Sequence, residues 1–197
     1  MDFGDPLRSL IPSLDGAVLA VLAGTGRPMT GARIARLSSK GSDSGIRLVL
    51  ERLVREGLVV QERIDRSSLY SLNREHLLWP AIDAAFTARQ EFERRLAATV
   101  EQWRRPPVGT IVYGSAASGQ AGPDSDIDVL LIVHDDELET DLGGAIERWT
   151  GNRAHLLVLR EDEVIAEAAA NPALADAWRH GRRVQGSTLS ELLGAER

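Results

Sequence analysis

Apolar positions recur at helical spacing through the first quarter of the chain and then shift to strand spacing. Residues 14–24 (LDGAVLAVLAG) predict an apolar helix stopped by Gly24 and Gly26. Arg27-Pro28-Met29 is a break. Thr30 can then cap a short helix with Ile34 and Leu37 on one face. Ser38 to Gly41 reads as a turn. Ser42 or Asp43 can cap a third helix, with Ile46, Val49, Leu50, Leu53 and Val54 on its buried face and Gly57 at its end. Leu58-Val59-Val60 and Leu69-Tyr70-Ser71-Leu72 follow as two strands, and the polar run 62–68 (ERIDRSS) reads as the hairpin tip between them.

Residues 74–104 contain no breaker except Pro80. Leu78, Ile82, Phe86, Leu96, Val100 and Trp103 recur near helical period, which predicts one long connecting helix from Trp79 or Pro80, ended by Arg105-Pro106-Pro107. Beyond it strands and helices alternate. The pattern predicts strands at 108–113, 127–133 and 154–159, a short helix opening at 116–119, and helices at 138–149, 161–170 and 172–180. Three helices followed by a β-hairpin is the winged helix-turn-helix order. The expected architecture is therefore α+β. A winged helix-turn-helix domain spans 1–76, a connecting helix 77–106, and a domain with a small mixed sheet flanked by helices 107–197.

Composition narrows the chemistry. The 197 residues include no cysteine, which excludes disulfides, thiolate metal sites and a cysteine nucleophile. No apolar run approaches the roughly 20 residues that span a bilayer. The start, MDFGDPLRSL, lacks a basic segment followed by an apolar one, so no signal peptide is expected and the cytoplasm is the default. The net charge of -6 is uneven. Residues 1–80 carry 11 basic and 9 acidic side chains, residues 81–197 carry 12 and 20, so the front is mildly basic and the back acidic. That asymmetry suggests two modules with different partners.

The chemistry concentrates in GSAASGQAGPDSDIDVLLIV, residues 114–133. A strand delivers the chain to Gly114, where a glycine lets the backbone approach a phosphate closely. Ser115 brings a hydroxyl and an N–H to the same place, at the start of a short helix. Asp126 and Asp128 flank one apolar residue, so strand alternation puts both carboxylates on one face, with Cα atoms about 6.6 Å apart. Two hard oxygen donors on one face suit Mg²⁺ shared with substrate phosphates. Asp-x-Asp alone is a weak signal, because most charged residues are simply exposed. The whole string resembles the signature of minimal nucleotidyltransferases of the DNA polymerase β-like superfamily: strand, Gly-Ser, short helix, loop, Ser-Asp-x-Asp, apolar strand. The resemblance implies a nucleoside triphosphate bound through Gly114, Ser115, Gly119 and Ser125, with Mg²⁺ or Mn²⁺ on Asp126 and Asp128.

Three positions depart from the family. Members often carry basic residues where this chain has Ala116 and Ser118. Active members also bring a third carboxylate on the next long strand, where His155 stands in Arg153-Ala154-His155-Leu156-Leu157-Val158-Leu159. His155 is open to three roles: a metal ligand poorly suited to Mg²⁺, a general base, or a histidine held on the sheet. Glu161 and Asp162 fit better as acids in the first turn of the following helix. Trp149-Thr150-Gly151-Asn152 is a turn, similar to one in nucleotidyltransferase-like domains that follow a winged helix in bacterial proteins. The tail Ala175-Trp178-Arg179-His180-Gly181-Arg182 is similar to the same group. Arg179, Arg182 and Arg183 can reach a triphosphate or form a solvated basic turn.

In the front half the third helix is placed to enter a major groove. Lys40, Ser42, Ser44 and Arg47 lie where base and phosphate contacts come from, and Arg63 and Arg66 sit at the wing tip. Leu69-Tyr70-Ser71-Leu72-Asn73-Arg74-Glu75-His76 resembles the wing exit of MarR- or ArsR-like bacterial regulators. Duplex DNA is the expected partner, with protein contacts alone as the alternative. Ile82, Phe86, Phe92, Leu96 and Val100 on the connecting helix suggest a homodimer interface, with packing of this stripe on the chain's own domains as the alternative. Two functions follow. One is a nucleotide-responsive transcriptional regulator whose second domain has lost turnover. The other is an active enzyme moving a nucleoside monophosphate to a protein, RNA or small-molecule acceptor. Minimal nucleotidyltransferases also occur in toxin–antitoxin pairs, which makes a protein acceptor consistent with the resemblance.

Overall fold

The computed structural model describes residues 1–38, 40–65, 67–134, 141–167 and 170–194. The chain forms two compact units. One is Asp5–Ala88; the other is Arg89–Arg197 together with Met1–Gly4. Among the described residues no helix is long and apolar enough to cross a membrane.

In the first unit α1 (Pro6–Leu10) and α2 (Leu14–Thr25) precede a short strand, β1 (Met29–Thr30). Then come α3 (Gly31–Leu37) and α4 (Asp43–Arg55). Side chains start both helices: Thr30 accepts the Arg33 N–H, and Ser42 accepts the Gly45 N–H. The hairpin of β2 (Val59–Ile64) and β3 (Ser67–Leu72) follows, then α5 (Trp79–Phe86). β3 pairs with both β2 and β1, giving the order β1-β3-β2. This is the winged helix-turn-helix arrangement. Leu19, Leu22, Ile34, Ile46, Leu50, Leu53 and Ile82 form its core. Each such side chain contributes roughly 1.5–3 kcal/mol by leaving water. Arg52 on α4 hydrogen-bonds Asp15 on α2 and ties the two helices at their rim.

The second unit contains α6 (Ala88–Glu101, of which it holds all but the first residue), β4 (Gly109–Tyr113), α7 (Gly114–Ser118) and β5 (Ile127–Val133). They are followed by α8 (Leu142–Thr150), β6 (Ala154–Arg160), α9 (Glu161–Glu167), α10 (Pro172–His180), β7 (Arg182–Gly186) and α11 (Leu189–Leu192). The sheet order is β6-β5-β4-β7, with β5 and β6 parallel and the other pairs antiparallel. On one face Val112, Val129 and Leu131 pack with Phe92, Leu96 and Val100 of α6 and Ile146 of α8. Phe3, from the start of the chain, meets Phe92 edge to face at 5.3 Å. On the other face Ile111, Leu130 and Ile132 pack with Val164, Leu174, Ala177 and Leu189. β5 is thus covered on both sides, which is why IDVLLIV is almost uniformly apolar.

Three expectations need correction. The single helix over 79–104 is two helices, α5 and α6, parted at Thr87, whose hydroxyl bonds the Asp83 carbonyl. The reason lies in the stripe. Phe86 and Phe92 are six residues apart, which at about 100° per residue turns the apolar side by roughly 120°. Ile82 packs into the first core, and Phe92, Leu96 and Val100 into the second. Those side chains, expected at a dimer interface, are buried within their own units. The wing tip is also shorter than expected: β2 and β3 pair from Val59↔Leu72 to Ile64↔Ser67. Main-chain pairing does not need apolar side chains, and the exposed wing strands can stay polar. Finally, Arg182 and Arg183 do not form a turn but begin β7, the edge strand beside β4.

Candidate functional site

The acids of the Ser-Asp-x-Asp string lie where β5 begins. Ile127 is fully buried between Asp126 and Asp128, so both carboxylates point to the opposite face of the sheet, as alternation requires. Among the described residues they do not share a partner. Asp126 Oδ1 stands 3.7 Å from Arg153 Nε, and both side chains are largely exposed. Asp128 Oδ1 stands 3.1 Å from His155 Nδ1. The register explains that contact: β5 and β6 run parallel, and Asp128 is directly opposite His155. His155 is 65% exposed, so it is a surface imidazole held by a carboxylate and not part of the core.

Gly114 forms the other wall. It turns the chain from β4 into α7 with φ at +65°, a conformation open chiefly to glycine. A Cβ there would lie 2.5 Å from Asp128 Oδ2. The missing side chain therefore lets the Asp128 carboxylate pack directly against the Gly114 backbone. Ser115 follows, half-buried at the start of α7. Ala116 is buried in the core, and the Ser118 hydroxyl turns back onto the Gly114 and Ser115 carbonyls. Neither brings a positive charge to the corner. Gly119 caps the C-terminal end of α7 with φ at +72°. Arg89 holds that end by donating to the Ala117 carbonyl. Ser125 accepts the Gly122 N–H through its hydroxyl at 3.0 Å and so shapes the loop that leads to Asp126.

Several residues join the corner that sequence reasoning did not single out. Asn152, 1% exposed, donates to the carbonyls of Gly122, Pro123 and Ser125 at 3.0, 3.2 and 2.9 Å and clamps the loop before the acids. Its place in the Gly-Asn turn is its only signal in the sequence. Asp176 on α10 accepts the Gly114 N–H through Oδ2 at 2.9 Å, and its Oδ1 stands 3.0 Å from His180 Nδ1. Tyr113, 5% exposed, has a buried hydroxyl with no hydrogen-bond partner among the described residues. Burial first, then the nearby charges of Asp128 and Asp176, pushes that phenol up to about 12.

The donor set fits a divalent cation bound together with phosphates. Two carboxylates lie on one face, one of them packed against the side-chain-free backbone of Gly114. Among the described residues no three His, Asp or Glu side chains converge closely enough to hold a metal by themselves. A cation here would take most of its remaining ligands from phosphate oxygens and water.

In the first unit Ser42 caps α4 and its hydroxyl also meets that of Ser44 at 3.0 Å. Lys40, Ser44 and Arg47 are exposed, and Arg47 Nε lies 3.6 Å from Glu51 on the next turn. Arg63 is exposed on β2. Arg66 lies outside the described residues.

Residues 93–171 match the sequence profile of the nucleotidyltransferase domain family. The match begins within α6 and ends just before α10, so it holds Gly114, Asp126, Asp128 and His155 but not Asp176. No curated protein matches the chain. A solved structure of TrmBL2, an archaeal chromatin protein said to show a novel mode of DNA binding, is similar at 13% identity over 88% of this chain and 77% of that one, with a TM-score of 0.33. At that score the likeness carries no structural argument.

Proposed function

We propose that this chain is a DNA-binding protein whose second unit takes a nucleoside triphosphate with a divalent cation, and that nucleotide occupancy regulates transcription. The observation that carries the nucleotide half is the Gly114 corner, where a glycine at positive φ faces Asp128 inside a matched nucleotidyltransferase domain. Asp126 and Asp128 would hold Mg²⁺ or Mn²⁺ jointly with the triphosphate. The cation, when bound, neutralises phosphate charge and stabilises a leaving pyrophosphate. Gly114 and Ser115 present backbone and a hydroxyl to the phosphates. Because Ala116 and Ser118 supply no charge, affinity depends on the cation.

The DNA half rests on exposed Lys40, Ser44 and Arg47 around the start of α4 and exposed Arg63 on the wing. In a winged helix these elements enter the major groove and touch the backbone. Phosphate contacts release counterions, so affinity falls steeply with salt.

A second reading, transfer of the nucleoside monophosphate, is favoured by one contact. His155 stands exposed at Asp128, so an imidazole is available beside the cation-binding carboxylate. In that reading an acceptor hydroxyl gives its proton to the His155 imidazole and attacks the α-phosphorus. The bond to the bridging oxygen breaks and pyrophosphate leaves.

Calorimetry with each nucleoside triphosphate, with and without Mg²⁺, tests the nucleotide half. Binding that needs Mg²⁺ and is lost in Asp128→Asn supports it; equal affinity in every arm overturns it. Selection from a random duplex pool tests the DNA half. Arg47→Ala should relax sequence preference, and Arg63→Ala should weaken all sequences alike and lower the salt slope by about 1. No enrichment together with salt-insensitive binding overturns it. Label transfer from a triphosphate to an acceptor, lost in His155→Ala, would favour turnover.

A further inference from the structure

Asp176 lies beyond the matched nucleotidyltransferase residues, yet it reaches the centre of the corner. Its helix is well anchored. Asn171 caps α10, and Leu174 and Ala177 are buried against the sheet. From there both carboxylate oxygens are engaged, Oδ2 by the Gly114 N–H at 2.9 Å and Oδ1 beside His180 Nδ1 at 3.0 Å. Gly114 is thus bracketed by two acids: Asp176 on its N–H, and Asp128 against its α-carbon. The buried hydroxyl of Tyr113, from the preceding residue, has no partner there among the described residues.

A carboxylate and a phosphate make the same demand on a backbone N–H, that of a charged oxygen acceptor. One N–H cannot serve both at full strength. A carboxylate held at that point also repels a phosphate chain arriving beside it. The alternative, that Asp176 is a third ligand replacing the acid missing at His155, fits the geometry less well. Its oxygens already have partners, and no three acids or histidines converge among the described residues.

We propose that Asp176 sets the affinity of the nucleotide site: its carboxylate occupies the Gly114 N–H in place of a phosphate oxygen, and a triphosphate binds by displacing it. This rests on the nucleotide reading above. Displacement also unties α10 from the β4–α7 corner, so bound triphosphate loosens residues 172–180.

Two measurements on the full chain test this, with inorganic triphosphate and Mg²⁺ as the probe. Asp176→Asn removes the charge but keeps an oxygen for the Gly114 N–H; Asp176→Ala removes both. Calorimetry should show binding about tenfold tighter in Asp176→Asn and tighter again in Asp176→Ala, while Asp128→Asn weakens it. Hydrogen exchange over 172–180 should speed up on binding in the wild type and already be fast in Asp176→Ala. Binding by Asp176→Ala with a silent wild type also supports the proposal. If the wild type binds and both Asp176 variants bind equally or more weakly, Asp176 is a cation ligand or a structural tie and the proposal is overturned. If no variant binds and Asp128→Asn changes nothing, the nucleotide reading itself fails and this inference falls with it.

Discussion

His155 Nδ1 stands 3.1 Å from Asp128 Oδ1, directly across the parallel strands β5 and β6. The place on β6 where the resemblance leads one to expect a third acid therefore does touch Asp128, the second acid of the Ser-Asp-x-Asp string, but it brings an imidazole. The consequence is electrostatic. A histidine adds no negative charge beside the proposed cation position, and it takes up one oxygen of Asp128.

His155→Asp should reverse both effects. Two carboxylates would face each other across the strand pair. Without a cation their repulsion should lower stability by about 1 kcal/mol, a modest cost because His155 is exposed and screened. With Mg²⁺ and a triphosphate the same pair should hold the cation better and raise affinity several-fold. Thermal melting with and without Mg²⁺, paired with calorimetry, reads both. A variant that folds normally and shows no Mg²⁺ dependence of either quantity would count against the cation position.

Gly114→Ala tests the close approach of Asp128 to the Gly114 backbone. The residue sits at φ +65°, and its new Cβ would lie 2.5 Å from Asp128 Oδ2. The strained backbone costs on the order of 1–2 kcal/mol, and the carboxylate must move. The variant should remain folded, with a lowered melting temperature and Mg²⁺-dependent triphosphate binding lost. Unchanged binding would place the phosphates elsewhere.

Asn152→Ala should be costly for a different reason. It leaves the carbonyls of Gly122, Pro123 and Ser125 without the amide that serves them. Urea unfolding should show a loss of roughly 2–3 kcal/mol. The released loop should also let Asp126 drift, weakening triphosphate binding beyond what the stability change explains.

Asp15 gives a pH dependence in the first unit. Burial works to raise its pKa, but hydrogen bonds from Arg52 and Ser13, with the Arg52 charge, hold it below the ordinary carboxylate value. A group lowered on folding stabilises above its unfolded pKa, about 3.9, and loses that contribution as pH falls through the folded value. Acid should therefore loosen the α2–α4 contact below about pH 4. Because Arg52 is partly exposed, the contribution is at most about 1 kcal/mol. Protection factors in α2 and α4, exchange rates taken relative to the unfolded chain at each pH from 6 to 3, should fall more in the wild type than in Asp15→Asn. Parallel behaviour of the two would refute the assignment.

The elements of both units are largely legible in the sequence because their signals are local. Thr30 and Ser42 cap the helices they precede, and the apolar run after Asp126 becomes the doubly buried strand β5. Gly114, Asp126 and Asp128 are legible for the same reason: a glycine before a turn and two acids around one buried residue are short-range patterns. Periodicity does not report which core an apolar stripe enters, so the break at Thr87 and the burial of Phe92, Leu96 and Val100 emerge only when two cores form. Nor can a polar edge strand such as β7 be read from RRVQG, because its pairing with β4 is a main-chain matter. The rest of the corner comes from long-range closure. Asn152 reaches the loop at Gly122–Ser125, His155 meets Asp128 through the parallel register, and Asp176 arrives at Gly114 from 62 residues away on a helix packed over the sheet. Nothing in the residues flanking Asp176 distinguishes it from any exposed acid on a helix; only the packing of α10 over β4 puts its carboxylate on a backbone N–H.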